Sequence, residues 1–279
     1  MKDIDTKYIN IDGISIRYAC QGKGPAILLF HGFAEFLETW FLNIEPLSRY
    51  YTVYALDLPG HGLSGEPQVN YTLDFSTKFA LSFMEALGIK HASLIGHSVC
   101  GLLCLNLTIT FPERVDNLVL VSSTGLSKKE APLLCRLAML LEKFIIEPTR
   151  ANILKVVKGT FYNPGIVSEE LADKAYQYLV MPKTKDALLN VLRSNISTNA
   201  IRPELILTDK LHLAKSPTLI IHGTQDSTIP IGYIQDPSNL IPKVRLKIFQ
   251  KCAHHPHIEK PGEFNEAVMT FLNSNELHG

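Results

Sequence analysis

Leu94-Ile95-Gly96-His97-Ser98-Val99-Cys100-Gly101 is the stretch on which the fold turns. The short apolar run from Ala92 to Ile95 has the character of a strand and ends at a glycine. His97 and Ser98 follow, and then a segment from about Val99 to Phe111 with the character of a helix. A serine on a sharp strand-to-helix turn has its hydroxyl pushed out at the carboxyl end of the strand. The backbone N–H after it lies at a helix N-terminus, where negative charge is stabilised. Cys100 stands where the Gly-x-Ser-x-Gly form of this turn closes on its second glycine. It reads as a small residue tolerated there, as one that tunes the strain of the turn, or as a thiol open to oxidation. It does not read as a nucleophile, because the turn presents the serine.

Outward from this stretch, the first half of the chain alternates strand and helix signals. Lys7 to Ile11 and Ile14 to Ala19 flank Asp12-Gly13, a hairpin signal. Ala26-Ile27-Leu28-Leu29-Phe30 and Thr52-Val53-Tyr54-Ala55-Leu56 are continuous apolar runs, as expected of strands buried on both faces. A helix is expected between them, from Leu37 to Ser48. Another is expected from about Thr72, its N-cap, to Leu87, closed by Gly88. Asn117 to Ser122 reads as the strand after the serine's helix.

From Ser123 to Leu213 the strand rhythm stops, and four or five amphipathic helices are expected instead. Ser127 and Glu130 have capping-box spacing ahead of the apolar segment Leu133 to Ile146. Pro148-Thr149 restarts the chain, Ser168 caps a further helix, and Thr184 reads as the cap of a fourth. The apolar face of Leu133 to Ile146 is expected to pack on the sheet. Strands resume at Pro217 to His222 and Val244 to Phe249, with a final helix from about Pro261 to Asn273. The fold class is therefore α/β: a mostly parallel, doubly wound sheet of about eight strands. The core is expected over 1–123 and 214–279, with 124–213 inserted as a helical cap.

Ligands in such sheets bind at the carboxyl ends of the strands. A serine there needs a base, and the base needs an orienting acid. Asp226 follows one strand end in His222-Gly223-Thr224-Gln225-Asp226, and His254 follows the next in Cys252-Ala253-His254-His255-Pro256-His257. The chain order is Ser98, Asp226, His254, as this fold requires. His97, His255 and His257 read as neighbours that pack and shape loops. Cys252 with the three loop histidines matches no common zinc spacing, so no metal is expected. Asp57 reads as a structural carboxylate bracing Asp57-Leu58-Pro59-Gly60-His61-Gly62-Leu63-Ser64.

Taken together, these motifs make the sequence resemble the α/β-hydrolase superfamily, in its capped serine esterase and lipase-like branch. His31-Gly32-Phe33, the Asp57 loop, the Asp226 loop through Pro230, and Ala253-His254 through Pro261 carry the resemblance. It implies that Ser98 is the nucleophile, His254 the base, and Asp226 the acid that orients it. It further implies an oxyanion hole from the backbone N–H groups of Phe33 and Val99, with His31, Gly32 and His97 as pocket candidates. The reaction expected is hydrolysis of small to medium apolar carboxylic esters through an acyl-enzyme, without a cofactor. Serine at the turn argues against the dehalogenase and epoxide hydrolase branches, which use aspartate there. Carbon–carbon bond hydrolysis, cofactor-free perhydrolysis and thioester chemistry stay open, as does a small-molecule receptor role.

Bulk properties narrow the partners. Among 279 residues, Lys+Arg and Asp+Glu are both 27, giving zero net charge, so nucleic acid is not an expected partner. Apolar residues make up 46% and charged ones 19%, an ordinary globular mixture. No stretch approaches the ~20 apolar residues of a membrane span, so no stable membrane insertion is expected. Five cysteines without framework spacing, and the charged start Met1-Lys2-Asp3-Ile4-Asp5, lead to an expected cytoplasmic location. Monomer and homodimer are both open.

Overall fold

Apolar strands whose side chains alternate between two covered faces build one eight-stranded sheet in the order β1-β2-β4-β3-β5-β6-β7-β8. The computed structural model describes residues 4–196 and 200–276. Met1, Lys2 and Asp3, on which part of the N-terminal reading rests, lie outside them. The strands are β1 (Thr6–Ile11), β2 (Ile14–Gln21), β3 (Ala26–Phe30), β4 (Thr52–Leu56), β5 (Ala92–His97), β6 (Val115–Val121), β7 (Thr218–Gly223) and β8 (Val244–Phe249). β1 and β2 form the expected antiparallel hairpin, with Asp12 and Gly13 both at positive φ in its turn. β2 pairs antiparallel with β4, and from β4 onward the pairing is parallel.

The helices are α1 (Ile44–Ser48), α2 (Leu73–Ala86), α3 (Val99–Thr110), α4 (Ala131–Ile146), α5 (Arg150–Gly159), α6 (Glu169–Leu179), α7 (Pro182–Asn195), α8 (Gln235–Ser238), α9 (Pro256–Glu259) and α10 (Pro261–Glu276). Strand periodicity fixes the two cores. Leu28 and Phe30 of β3 join Phe79 and Phe83 of α2 on one face, with Leu103 and Leu107 of α3. Ile27 and Leu29 face the other way, onto Leu47 of α1 and Phe264, Val268 and Phe271 of α10. Between β6 and β7, the helices α4 to α7 form a third cluster around Ala138, Ile145, Ile153, Leu188 and Leu192, and Phe33 and Ala34 pack against it. These helices therefore lie over the carboxyl edge of the sheet.

Two local expectations need correction. The segment from Leu37 to Ser48 is not one helix: a 3-10 turn, Leu37–Trp40, is separated from α1. Pro46 has no N–H to give Leu42, whose carbonyl instead accepts from Asn265 Nδ2 at 3.0 Å. Thr184 is not a cap, because α7 begins at Pro182 with Met181 before it. Proline at the first helical position sets the start three residues earlier, and the Thr184 hydroxyl donates to Glu66 instead. Thr72, Thr149 and Ser168 do cap α2, α5 and α6 through their side chains.

Candidate active site

The turn after β5 holds Ser98 at φ 54 and ψ −123, a backbone conformation uncommon for a residue with a Cβ. It is held there from both sides. Ser98 N–H donates to Val121 O at 2.9 Å, and Ser98 O accepts from Gly101 N–H at 3.0 Å. Close packing explains the pattern of small residues. A Cβ on Gly96 would lie 2.3 Å from Cys100 O, and one on Gly101 would lie 2.2 Å from Ser123 Oγ. The tight approach thus falls on Gly96 and Gly101. Cys100 between them is among the residues that line a cavity described below. Burial pushes its thiol up, and the Glu35 charge adds to this, so it stays protonated and poorly reactive.

The loops after β7 and β8 meet Ser98. His254 Nε2 lies 3.1 Å from Ser98 Oγ, and His254 Nδ1 lies 2.8 Å from Asp226 Oδ2. Asp226 Oδ1 accepts from the N–H groups of Thr228 and Ile229, both at 2.9 Å. Those two donors keep the carboxylate from turning away from His254. Burial pushes the Asp226 carboxyl up, but the charge and hydrogen bond of His254, with His222, outweigh it and hold it down at about 2. Burial lowers His254, and the charge and hydrogen bond of Asp226 more than reverse this, so it is raised. The arrangement is a carboxylate, an imidazole and a hydroxyl in one hydrogen-bonded line.

A second line of contacts ties the three loops together, and the sequence did not reveal it. Glu35 Oε2 accepts from Gly32 N–H at 2.8 Å and from His97 Nδ1 at 3.0 Å, and His97 Nε2 in turn donates to His254 O at 2.8 Å. One carboxylate therefore joins the loop after β3, the residue before Ser98 and the backbone of His254. Burial pushes the Glu35 carboxyl up, yet the charge and hydrogen bond of His97 hold it well below the usual carboxylate range.

Of the residues named from sequence, Ser98, Gly32, Phe33 and Val99 line one cavity. His31 and His97 do not: both are fully buried behind it. His31 Nε2 accepts from Leu58 N–H, and His97 is committed to Glu35 and His254. Asp57 braces its loop as expected, accepting from Leu37 N–H and Leu63 N–H. Unanticipated was Arg17, buried with Nη1 3.0 Å from Asp57 Oδ2 and Nη2 2.7 Å from Glu38 Oε1.

Two apolar arms meet at Ser98. One is a cavity of about 200 Å³ between the sheet edge and α4, lined by residues such as Phe79, Leu102, Leu103, Leu134, Leu137 and Ala138. The other, also about 200 Å³, runs under α5 and α6 past Ile153, Val157, Phe161, Leu171 and Leu179. Phe33, Ser98, Leu141 and Thr228 belong to both. Among the described residues, neither lining includes a lysine or arginine.

Comparison with known proteins identifies the fold family. The profile of the alpha/beta hydrolase fold family matches residues 25–155 and 175–261. The chain is similar to the dihydrolipoyllysine-residue acetyltransferase component of an acetoin cleaving system in Cupriavidus necator, 31% identical over 267 residues, spanning 95% of this chain and 68% of that one. It is 28% identical over 265 residues to a 2-hydroxy-6-oxo-6-phenylhexa-2,4-dienoate hydrolase from Comamonas testosteroni, spanning 92% of this chain and 91% of that one. A solved structure, a meta-cleavage product hydrolase from Pseudomonas fluorescens, superimposes with a TM-score of 0.84 at 26% identity, spanning 96% of this chain and 97% of that one.

Proposed function

The chain belongs to the alpha/beta hydrolase fold family, and on that premise we propose that it hydrolyses carboxylic esters with apolar groups on both sides of the scissile bond, through an acyl-enzyme on Ser98. At the coarser level it is a serine hydrolase, a class its similarity to named hydrolases supports. The observation that carries the finer reading is the pair of largely apolar arms, neither lined by a lysine or arginine among the described residues, that meet at Ser98. One arm takes the acyl chain and the other the alcohol group.

Ser98 Oγ attacks the ester carbonyl carbon while His254 Nε2, 3.1 Å away, takes its proton. The negative charge that develops on the carbonyl oxygen is received by the N–H groups of Phe33 and Val99. Each such donor contributes about 3 to 4 kcal/mol to the transition state. His254 then returns the proton to the departing alcohol oxygen, and water repeats the sequence to release the acid. Asp226 stabilises the imidazolium formed in each half and fixes its tautomer. The inserted helices act as a cap that keeps bulk water from the two arms.

A second reading, hydrolysis of a carbon–carbon bond in a 2-hydroxy-6-oxo-dienoate, is favoured by the names of several relatives. A dienoate carries a carboxylate, and a carboxylate taken from water without a cation to meet it carries a large penalty. The arms supply no lysine or arginine among the described residues, which favours the ester. Parallel assays of p-nitrophenyl esters from acetate to laurate and of 2-hydroxy-6-oxo-6-phenylhexa-2,4-dienoate separate the two readings. We expect kcat/KM to rise about fourfold per added methylene until the acyl arm is full, and the dienoate to be slower than the best ester. A dienoate turned over faster than every ester would replace the first reading with the second.

A further inference from the structure

Behind His254, His97, His255 and His257 bring a ring nitrogen each to within 4.8 Å of one another, and all three are buried. Hydrogen bonding fixes the state of one of them. The Thr160 hydroxyl donates to Val157 O at 2.7 Å, which spends its only proton. Its oxygen, 2.9 Å from His255 Nε2, must therefore accept, so Nε2 carries the ring proton. Burial pushes His255 well below the usual imidazole range, and its surroundings do not reverse this, so the ring is neutral. Its Nδ1 is then a bare lone pair, and it faces Glu35 Oε1 at 3.6 Å. Two acceptors oppose each other with no proton between them. Beside them, neither ring nitrogen of His257 has a hydrogen-bond partner among the described residues. Leaving buried polar atoms unpartnered costs about 1 to 3 kcal/mol each.

We propose that His255 Nδ1, a ring nitrogen of His257 and Glu35 Oε1, with His97 as the third imidazole, form a site for a transition-metal dication of the zinc class. A cation between two opposed lone pairs turns their repulsion into ligation. Two ligand atoms on a tetrahedral ion, with bonds of about 2.0 to 2.1 Å, lie roughly 3.3 Å apart, close to the 3.6 Å separation of His255 Nδ1 and Glu35 Oε1. The outer contacts have the form such sites use, in which a ligating imidazole donates its other N–H to an oxygen: His255 Nε2 donates to Thr160 Oγ1. Glu35 Oε2 stays on Gly32 N–H, leaving Oε1 free. When His97 turns a nitrogen to the ion, the proton on that nitrogen leaves to solvent, so binding releases one proton. Glu35 and His255 both line the second arm, which gives the ion a path in.

The test titrates the full chain with Zn²⁺ and with Co²⁺, and repeats both titrations on His257→Phe and His255→Phe. Phenylalanine keeps the ring packing of His257 on Trp40, and of His255 on Phe161, without a ligand atom. Wild type should bind one Zn²⁺ per chain. Its Co²⁺ form should show the intense visible bands of a tetrahedral site, without thiolate charge-transfer absorption. Each variant should bind at least ~10-fold more weakly. Absence of saturable binding by wild type would overturn the site. So would a thiolate band, or variants that fold and bind like wild type, because the ion would then sit elsewhere. The wild-type spectrum decides on its own if a variant fails to fold.

Discussion

Asp226→Asn is expected to lower kcat on a p-nitrophenyl ester by about 10⁴-fold while leaving the fold intact. The reason is the direction of one proton. In the native site the Asp226 carboxylate accepts from His254 Nδ1–H, so His254 Nε2 is bare and faces the Ser98 hydroxyl, whose proton it takes in the proposed mechanism. Asparagine keeps its oxygen on the N–H groups of Thr228 and Ile229, where Oδ1 already sits. Its amide then faces His254 Nδ1 and donates to it. That holds the imidazole in the opposite tautomer, with the proton on Nε2, where it cannot serve as base. The pH dependence follows from the same pair. With the carboxylate gone, the influence that raises His254 is lost, so the kcat/KM limb set by His254 should move to lower pH. Stability changes with a definite sign. Asp226 is lowered from 3.8 to about 2, so its contribution is present above its ordinary value and is lost as pH falls toward about 2. His254 is raised, so its contribution is full below its ordinary 6.5 and is lost as pH rises through the raised value. Asp226→Asn should remove both dependences. An unchanged rate in this variant would mean that another group holds His254.

Arg17→Met is expected to cost about 3 to 5 kcal/mol of stability, read from the urea midpoint. Arg17 is 6% exposed, and Asp57 and Glu38 are 0% and 3% exposed. Removing the guanidinium strands two carboxylates that water cannot reach. Lys174 Nζ, 3.3 Å from Glu38 Oε1, relieves only one of them. Asp57 keeps two backbone donors, but burial already pushes its carboxyl up, and His31 and Arg17 only partly offset this. A domain of ordinary stability, 5–15 kcal/mol, would lose a large fraction of it. Arg17→Met combined with Asp57→Asn should be less destabilised than Arg17→Met alone, since one stranded charge is removed. A loss below ~1 kcal/mol, the value of an exposed pair, would show that the network contributes little.

What the sequence disclosed and what it hid have a common physical basis. That Ser98, Asp226 and His254 meet was legible because each follows a strand, and parallel strands bring their carboxyl ends to one edge whatever the intervening chain does. The strand runs β3 and β4 were legible to the residue, because continuous apolar sequence bounded by turns has few alternatives. Helix starts failed where proline intervened, at Pro46 and Pro182, since cap residues and proline compete to set the first turn. Side-chain pairing across the fold was otherwise not legible. Arg17 meets residues 21 and 40 positions further along, and nothing local marks those partners. Glu35 was equally silent, because its role depends on His97 at the end of β5 and His255 in the loop after β8 meeting it. His255 and His257 were read together as residues of one loop, and only the closed fold brings His97 beside them.

In the proposed mechanism Ser98 Oγ is the atom that becomes acylated. Labelling with a fluorophosphonate, followed by peptide mapping, tests this most directly, because the reagent traps a serine activated by a neighbouring base. Wild type should take up one adduct per chain, on the peptide carrying Ser98, with ester hydrolysis lost in proportion. Ser98→Ala should take up none. Hydrolysis that survives full labelling, or an adduct on any residue other than Ser98, would contradict the account.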